Sequence, residues 1–294
     1  YKLLKTFFMA KQPTWGECLN YTLKYKDTWR NGGGRNSAII YSNYFTEFQG
    51  LAFPVNRITP ALMTRLCVEL ENQGRTNATI NRFISAVSTV LKFCTDQQLI
   101  SIAVPRFQRR KEAETMRQWY TKEQVKKICK EATDTWHRPE LADIVQFAAL
   151  TGMRQGEILK LRVKHVDFIT NNIHVGTKPK DTTKNGTYRA IPIHPELEEL
   201  LIERTKNLNP NQLVFGNDWA NKDQLLRAFK NVITRSLHLD PNDGFCFHSL
   251  RHSFGTWHFA SGSKPRQIMD MMGHKNIVTT LIYGKSTDEA KREA

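Results

Sequence analysis

One short segment of this chain, residues 105–117, separates two stretches of different character. Its sequence, PRFQRRKEAETMR, is polar and mostly basic, and it has no periodic stripe of apolar residues. Such a stripe is what allows a helix or a strand to pack against a core. The 294 residues are enough for two domains of ordinary size. The sequence therefore predicts two domains, at residues 1–104 and 119–294, joined by a basic linker over residues 105–118.

The first domain is predicted to be helical. Apolar residues recur at the spacing of an amphipathic helix in three segments, 37–48, 59–73 and 77–96. Thr59 followed by Pro60 is typical of a helix start, because proline is tolerated in the first turn. The glycine-rich run at 31–34 is predicted to be a loop between two helices, since no strand precedes it as in a phosphate-binding loop.

The second domain is predicted to combine helices with a small sheet. Thr121 and Gln124 form a capping-box pattern at a helix start, and the apolar run 141–150 predicts a helix that ends near Gly152. Further helices are expected at 195–205, 223–236 and 249–260, and short strands at 164–175 and 189–193. The expected fold class is mainly α with a small antiparallel β-sheet, made of a helical N-terminal domain followed by an α+β domain.

The segment TTKNGTYRAIPI (182–193) has the pattern of a β-hairpin. Asn185 and Gly186 are a strong two-residue turn signal, and residues 188–193 are predicted to be the returning strand. Lys184 stands at the entry to the turn. Lys178 and Lys180 lie on the preceding strand, and a different hairpin register would present one of them instead.

The run MMGHKNIVTTLIYGK (271–285) contains a candidate nucleophile, Tyr283, nine residues after His274. A tyrosine hydroxyl, with a pKa of ~10, is a poor nucleophile at neutral pH. It becomes effective when neighbours accept its proton and stabilise the charge of the group that it attacks. The chemistry therefore requires basic and cationic partners from elsewhere in the chain.

Two upstream motifs supply candidates for these partners. FHSLRHSFGTW (247–257) contains His248 and Arg251, and their spacing of three residues puts both side chains on one face of a helix. LTGMRQGEILKL (150–161) contains Arg154 two residues after the Gly of a Thr-Gly break, with Glu157 three residues later. Glu157 is expected to orient or cap Arg154 rather than to act in catalysis.

Taken in chain order, these residues resemble the active-site set of the tyrosine recombinases, the family of phage integrases and Xer-type resolvases. Each motif alone is weak, but the ordered set is highly specific. The motifs fall within 119–294, and the region before them resembles the family's helical core-binding domain by layout only. The six matched positions are Arg154, Lys184, His248, Arg251, His274 and Tyr283.

The resemblance implies a site-specific DNA recombinase that acts by transesterification. Tyr283 would attack the scissile phosphate, giving a 3′-phosphotyrosine and a free 5′-hydroxyl, and strand exchange would pass through a Holliday junction. Arg154 and Arg251 would clamp the non-bridging oxygens, because a guanidinium forms planar, bidentate hydrogen bonds that an ammonium cannot mimic. The covalent intermediate would conserve the bond energy, so that no cofactor and no metal is expected.

The remaining three positions are implied to move or donate protons. Lys184 would act as the general acid that protonates the leaving 5′-oxygen. His248 would accept the proton of Tyr283 during cleavage and return it during ligation, because an unperturbed histidine titrates near neutral pH. His274 would donate a hydrogen bond to a non-bridging oxygen.

Composition is consistent with a nucleic-acid partner. The chain has 43 Lys and Arg against 28 Asp and Glu, a net charge of +15, which suits a polyanion without distinguishing DNA from RNA or an acidic membrane. No apolar run approaches the ~18 residues that span a bilayer, so that no membrane association is expected. The five scattered cysteines form no CxxC pair, which is typical of free thiols in a reducing cytoplasm.

The family resemblance also predicts the partners and the location. Double-stranded DNA at core recombination sites is the expected substrate, gripped by both domains with the basic linker crossing it, although the linker could also be a merely solvated connector. The chain is expected to be a monomer without DNA and a homotetramer on synapsed sites, with a DNA-bending accessory protein as a further possible partner. The expected location is the cytoplasm of a bacterial host, on the nucleoid when DNA is bound.

Several alternatives stay open at this point. A type IB topoisomerase uses similar Arg, Lys, His and Tyr chemistry, and a catalytically silent DNA-binding accessory protein would share the fold. Within the recombinases, an integrase is favoured over an Xer-type resolvase. His248 and His252 have the i, i+4 spacing of a zinc pair, but no third ligand is evident nearby, and His252 is expected to be a structural histidine.

Overall fold

The computed structural model describes residues 12–30, 34–113, 117–176, 188–239 and 243–286. The chain forms two compact units, Tyr1–Thr115 and Met116–Ala294. The division between the units falls inside the segment 105–118. The exact domain boundaries proposed above stay a prediction.

The described part of the first unit is helical. Its helices are α1 (Trp15–Tyr25), α2 (Asp27–Arg30), α3 (Arg35–Gln49), α4 (Pro60–Asn72) and α5 (Asn77–Asp96), with a 3-10 turn at Val55–Arg57. Thr59 and Thr76 cap α4 and α5, each accepting a hydrogen bond from a main-chain N–H in the first turn. The core of the unit is apolar and includes the fully buried Trp15, Phe45 and Phe83.

The chain beyond α5 stays attached to this first unit. Asn81, on α5, is buried and donates to the Arg110 carbonyl (2.8 Å), while the Arg110 N–H donates back to Asn81 Oδ1 (2.8 Å). Asn77 donates to the carbonyl of Lys111 (2.8 Å). Part of the predicted linker is therefore fixed against a helix and is not a freely solvated connector.

The described part of the second unit consists largely of helices of different lengths. They are α6 (Lys122–Asp134), α7 (Pro139–Thr151), α8 (Gln155–Ile158), α9 (Pro195–Thr205), α10 (Lys222–Leu237), α11 (Phe247–Ala260), α12 (Pro265–Met272) and α13 (Val278–Leu281), followed by a 3-10 turn at Ile282–Ser286. The predicted capping box at Thr121 opens α6. The α7 helix has the buried apolar face expected of a central helix.

A small sheet lies beside these helices. Its strands are β1 (Val166–Asp167), β2 (Asn172–Val175) and β3 (Arg189–Pro192), antiparallel in the order β1-β2-β3. Ile173 pairs with Ile191, and both side chains are buried in the core. The predicted turn of the β2–β3 hairpin, with Lys184 and its alternatives Lys178 and Lys180, lies outside the described residues. The fold class predicted from the sequence, mainly α with a small antiparallel sheet, is confirmed.

The described residues contain neither a membrane-spanning helix nor a cluster of metal ligands. None of the helices there is long and apolar enough to cross a membrane. In the same part of the chain, no group of three or more His, Cys, Asp or Glu side chains is arranged to hold a metal ion.

Candidate active site

Arg154 lies at the start of α8, just after a sharp turn of the chain. Gly152 ends α7 with a left-handed backbone (φ +60°), and a Cβ there would meet the Phe254 ring at 2.5 Å. Only glycine fits this position. The Arg154 N–H donates to Glu157 Oε2 (2.9 Å), and its guanidinium donates to Glu157 Oε1 (3.0 Å) and to the Gly273 carbonyl (3.3 Å). Glu157 thus has the orienting role expected of it.

Arg189, on β3, is a second cation bound to Glu157. Its two terminal nitrogens donate to the two carboxylate oxygens, Nη2 to Oε2 at 2.6 Å and Nη1 to Oε1 at 3.3 Å, a bidentate pair. Burial by itself raises the pKa of Glu157, but the hydrogen bonds and charges of Arg189 and Arg154 outweigh it and hold that pKa below its ordinary value. Glu157 is therefore a carboxylate shared by two arginines.

The same Arg189 supports the turn that carries His274. Its Nε donates to the Met271 carbonyl (2.8 Å) at the end of α12. Gly273 ends this helix with a left-handed backbone (φ +65°), and a Cβ on it would lie 3.0 Å from Arg189 Nη1. The buried guanidinium therefore fills the space below the turn, and the turn places His274 beside the site.

Arg251 is buried in the middle of α11, with a side chain 3 % exposed. Its guanidinium donates to the carbonyls of Gly152 (2.5 Å) and Met272 (2.6 Å), at the ends of α7 and α12. Burial, and next the positive charge of Arg154, lower its pKa to about 9. The two carbonyls use only part of its five N–H donors, so further donors remain for an anion.

Tyr283 lies in the 3-10 turn that follows α13, and its side chain is almost entirely buried. Its ring packs over Gly255 of α11, where a Cβ would be 2.8 Å from the ring, and it belongs to a small apolar cluster with Phe254, Ile268 and Met272. Burial raises the pKa of Tyr283, and the charges of Arg251 and Arg117 act against that rise. The hydroxyl is therefore protonated at neutral pH.

The Tyr283 hydroxyl has two polar neighbours. Nδ1 of His252 lies 3.2 Å from the hydroxyl oxygen, and the positive charge of Arg117 acts on the hydroxyl and lowers its pKa. His252 comes from α11, one residue after Arg251, whereas Arg117 comes from the segment that precedes α6. Arg117 lies within the predicted linker, yet it forms part of the site in the second unit.

His248 and His252 of α11 lie one turn apart with their rings edge to face, 4.8 Å between centroids. His248 is open to solvent and His252 is buried. Burial of part of its ring, with the charges of Arg251 and Arg154, lowers the pKa of His248 to about 4. Burial, and next His248 itself, lower the pKa of His252 to about 3. Both rings are neutral at pH 7.

His274 follows the Gly273 turn and faces Tyr283. Its ring is nearly parallel to the Tyr283 ring, with centroids 6.1 Å apart, and its Nδ1 lies 2.8 Å from the Thr280 hydroxyl. Burial, together with the charges of Arg251 and Arg154, lowers its pKa to about 4. Thr280 thus fixes the ring, and Nε2 of His274 is left available to a ligand.

Five of the six residues proposed from the sequence therefore come together in the second unit, and the sixth, Lys184, lies outside the described residues. Sequence reasoning missed three further members: Arg117, Arg189 and His252. The i, i+4 spacing of His252 after His248 was a usable signal. Arg189 is on the predicted return strand, and Arg117 is in a polar segment, so that nothing in the pattern distinguished either of them.

The phage integrase family model matches residues 118–290, more than half of the chain. The chain belongs to the phage integrase family. The matched region contains the whole site except Arg117, and the resemblance to the tyrosine recombinases inferred from the motifs is confirmed.

Curated relatives of this integrase-family chain are tyrosine recombinases. The chain is 25% identical over 285 residues to the tyrosine recombinase XerA of Thermococcus onnurineus, covering 95% of each chain. It is 23% identical over 298 residues to an XerC-like tyrosine recombinase of Caldanaerobacter subterraneus, covering 86% of this chain and 74% of the relative. At the family level, this membership supports an enzyme of site-specific recombination that cuts and rejoins DNA.

Solved structures share the fold. The integrase of transposon Tn1549, in complex with transposon right end DNA, matches with a TM-score of 0.78 at 16% identity, covering 95% of this chain and 98% of that one. A lambda integrase tetramer bound to a Holliday junction matches with a TM-score of 0.69 at 17% identity, covering 93% and 78%. XerH bound to palindromic difH substrate matches with a TM-score of 0.70 at 19% identity, covering 99% and 92%.

Proposed function

We propose that this chain is a site-specific DNA recombinase of the integrase type, which breaks and rejoins strands through a 3′-phosphotyrosine intermediate and a Holliday junction. One observation supports this above the others. A buried tyrosine hydroxyl, a neutral histidine at 3.2 Å and two arginines with donors to spare meet in one place. That combination suits attack on a phosphodiester, whose negative charge grows in the transition state.

In the proposed reaction, the Tyr283 hydroxyl gives its proton to a neighbouring histidine, its oxygen attacks phosphorus, and the bond from phosphorus to the 5′-oxygen breaks. Arg154 and Arg251 bind the non-bridging oxygens, with His274 donating from its free ring nitrogen. The leaving oxygen needs a proton, and Lys184 is proposed as its donor by family resemblance. Ligation reverses the steps, with the 5′-hydroxyl of the partner strand attacking the phosphotyrosine.

The arginines are pre-positioned for this role by their partners. Glu157 holds Arg154 at the helix start, and the carbonyls of Gly152 and Met272 hold Arg251. Fixed donors cost no reorganisation when charge develops in the transition state. An incoming phosphate would also place a negative charge beside the histidines and raise their pKa values toward neutrality.

The proposed partner is double-stranded DNA at core sites, and the proposed active assembly is a homotetramer on two synapsed sites. The net charge of +15 supports a polyanionic partner. The solved relatives bound to DNA share the fold and motivate the assembly. A DNA-bending accessory protein and a bacterial cytoplasmic location remain predictions of the family resemblance.

Covalent trapping tests the proposed function. The protein is mixed in EDTA with labelled DNA from the junction of its native element, or with supercoiled plasmid, and the reaction is stopped with SDS. We expect a protein–DNA adduct on the 3′ side of the break that is absent from Tyr283→Phe. Tyr188→Phe is the matched control, because Tyr188 is an exposed tyrosine of the same unit that bonds His174.

Two outcomes would change the proposal. Good binding to junction DNA without an adduct would favour a catalytically silent DNA-binding protein. An adduct with relaxation of plasmids of any sequence, and no recombination between sites, would favour a type IB topoisomerase.

Lys184 has its own test. Lys184→Ala is expected to slow cleavage of ordinary DNA and to regain speed on a bridging 5′-phosphorothiolate, whose sulfur leaves without a proton. Lys178→Ala is the matched control, since Lys178 lies on the other arm of the predicted hairpin. Rescue of Lys178→Ala by the phosphorothiolate, with no such rescue of Lys184→Ala, would move the general-acid role to Lys178.

A further inference from the structure

The group nearest the Tyr283 hydroxyl oxygen is not the histidine that the motif suggested. His252 Nδ1 lies 3.2 Å away, and the two rings are 5.6 Å apart between centroids. His248 makes no hydrogen bond to Tyr283 in the described part of the chain, and its ring is open to solvent. A proton acceptor has to be within hydrogen-bond reach of the proton that it takes, and His252 meets that condition here.

The hydrogen bond between the two side chains can carry a proton from Tyr283 to His252. Burial raises the pKa of Tyr283, so its hydroxyl keeps a proton to donate at pH 7. Burial lowers the pKa of His252 to about 3, so its ring is neutral there. The transfer requires the tautomer with the ring proton on Nε2, which presents Nδ1 to the hydroxyl as an acceptor.

We propose that His252 is the catalytic group that accepts the phenolic proton of Tyr283 during strand cleavage and returns it during ligation. This rests on the proposed recombinase function. In cleavage, the O–H bond of Tyr283 breaks as the proton moves to Nδ1, the oxygen's electron pair forms the bond to phosphorus, and the 5′-oxygen leaves with a proton from the general acid. Ligation runs the same transfers backward.

Arg117 assists this transfer through its charge. The positive charge of Arg117 lowers the pKa of the Tyr283 hydroxyl, and it would stabilise the phenolate as the proton leaves. The assignment separates the roles of His248 and His252. His252 serves the nucleophile, while the exposed His248 is free to contact the phosphate.

The charged and titratable groups facing His252 come from every element around it. Besides Tyr283, they are His248 and Arg251 of its own helix, Arg117 before α6, and His274 after α12. All of the cations among them disfavour protonated His252 in the absence of DNA. A bound phosphodiester offsets that effect, which couples the acceptor to the presence of substrate.

Single-turnover adduct formation tests the assignment. The rate is measured on the duplex that gives the wild-type chain its adduct, with DNA affinity measured beside it. In His252→Asn, the side-chain oxygen replaces Nδ1 as hydrogen-bond acceptor but cannot take a proton at neutral pH. We expect DNA affinity close to the wild-type value and adduct formation slower by about 100-fold or more, the usual contribution of a general base.

His252→Ala adds a readout that a structural role would not move. Removal of the ring leaves space for imidazole, and we expect imidazole in the buffer to restore part of the rate in this variant. The matched control is His258→Asn, on the same helix, whose Nδ1 bonds the Ser263 hydroxyl at 3.1 Å instead of Tyr283. That variant should form the adduct at the wild-type rate, with or without imidazole.

The outcomes separate this assignment from the function on which it rests. An adduct in the wild-type chain that forms equally fast in His252→Asn would overturn the assignment alone. A slow His252→Ala that imidazole leaves slow would limit His252 to packing and would also overturn it. No adduct from the wild-type chain on any DNA would overturn the proposed function, and the assignment with it.

Discussion

The site contains two buried arginines whose surroundings differ, and the difference shows what each is for. Arg189 is bound to a carboxylate through two hydrogen bonds, so its charge is balanced inside the protein. Arg251 is as deeply buried, yet its hydrogen-bond partners in the described residues are two main-chain carbonyls, and its pKa is lowered to about 9. A buried cation without a carboxylate is costly to maintain, which suits a residue that receives its anion from the substrate.

The two arginines of this cluster are therefore expected to have different roles, one in stability and one in DNA cleavage. Arg189 connects β3, α8 and the end of α12 and should matter most for folding. Arg251 connects the ends of α7 and α12 and should matter most for DNA cleavage. The first unit differs from this cluster. The described residues of its core include no buried Lys, Arg, Asp or Glu side chain.

The largest expected effect is on stability, for Arg189→Met. This change removes the bidentate partner of the buried Glu157 and leaves Arg154 as its ion-pair partner. The expected loss therefore approaches, without exceeding, the about 3–5 kcal/mol of a fully broken buried pair. Urea unfolding of the variant should show a correspondingly lower free energy of unfolding. The double variant Arg189→Met with Glu157→Leu removes both charges and should recover part of the loss. Equal stability of the single variant and the wild type would contradict the structural role of Arg189.

The next largest effect is on catalysis, for Arg251→Lys. An ammonium cannot make the planar contacts of a guanidinium, and removal of one fixed donor to a developing charge costs roughly 100- to 1000-fold in rate. Covalent adduct formation should fall by that factor while the free energy of unfolding changes less than in Arg189→Met. A variant that lost stability and kept its cleavage rate would reverse the roles given to the two arginines.

A pH titration of stability sharpens the contrast. The pKa of folded Glu157 is below its ordinary value of 4.5, so the unfolded chain binds a proton there before the folded chain does. Its contribution is complete well above pH 4.5 and is lost as the pH falls through the folded pKa. Glu157→Gln should flatten the fall of unfolding free energy below about pH 4.5. An unchanged slope in this variant would mean that other carboxylates dominate.

The smallest effect concerns the turn above Arg189. Gly273→Ala places a Cβ in a left-handed backbone, which costs roughly 1–2 kcal/mol, and 3.0 Å from Arg189 Nη1. Gly262→Ala is the matched control, with φ +78° and nothing within 4 Å of the added Cβ. Thermal unfolding should show a larger loss for Gly273→Ala than for Gly262→Ala. The difference between these two losses of stability shows how rigidly Glu157 and Met271 hold the guanidinium of Arg189.

Much of the fold could be predicted because its signals are local. The helices at Asn77–Asp96 and Pro195–Thr205 have the predicted bounds, since a capping residue or a proline marks their starts and apolar spacing marks their lengths. The predicted strand segment 164–175 was less accurate. It divides into a 3-10 turn at Val163–His165 and two short strands, β1 and β2, because the chain reverses at 168–171.

The site was predictable only where a motif supplied the spacing. The pairs His248 with Arg251 and Arg154 with Glu157 lie within one helical turn, so that the sequence alone places each pair together. His252 was interpreted as structural because its partner, Tyr283, is 31 residues away and no local pattern connects them. Arg117 was assigned to a linker because a polar segment looks the same in sequence whether it is solvated or bound.

The sequence by itself determined the family, the fold class and the identity of most of the site, because these depend on residue types at short and ordered spacings. Only the tertiary structure decided which histidine faces Tyr283 and which arginine is neutralised. Both depend on groups from separate elements meeting in a buried place. The low dielectric there makes each unpaired charge and each hydrogen-bond direction matter.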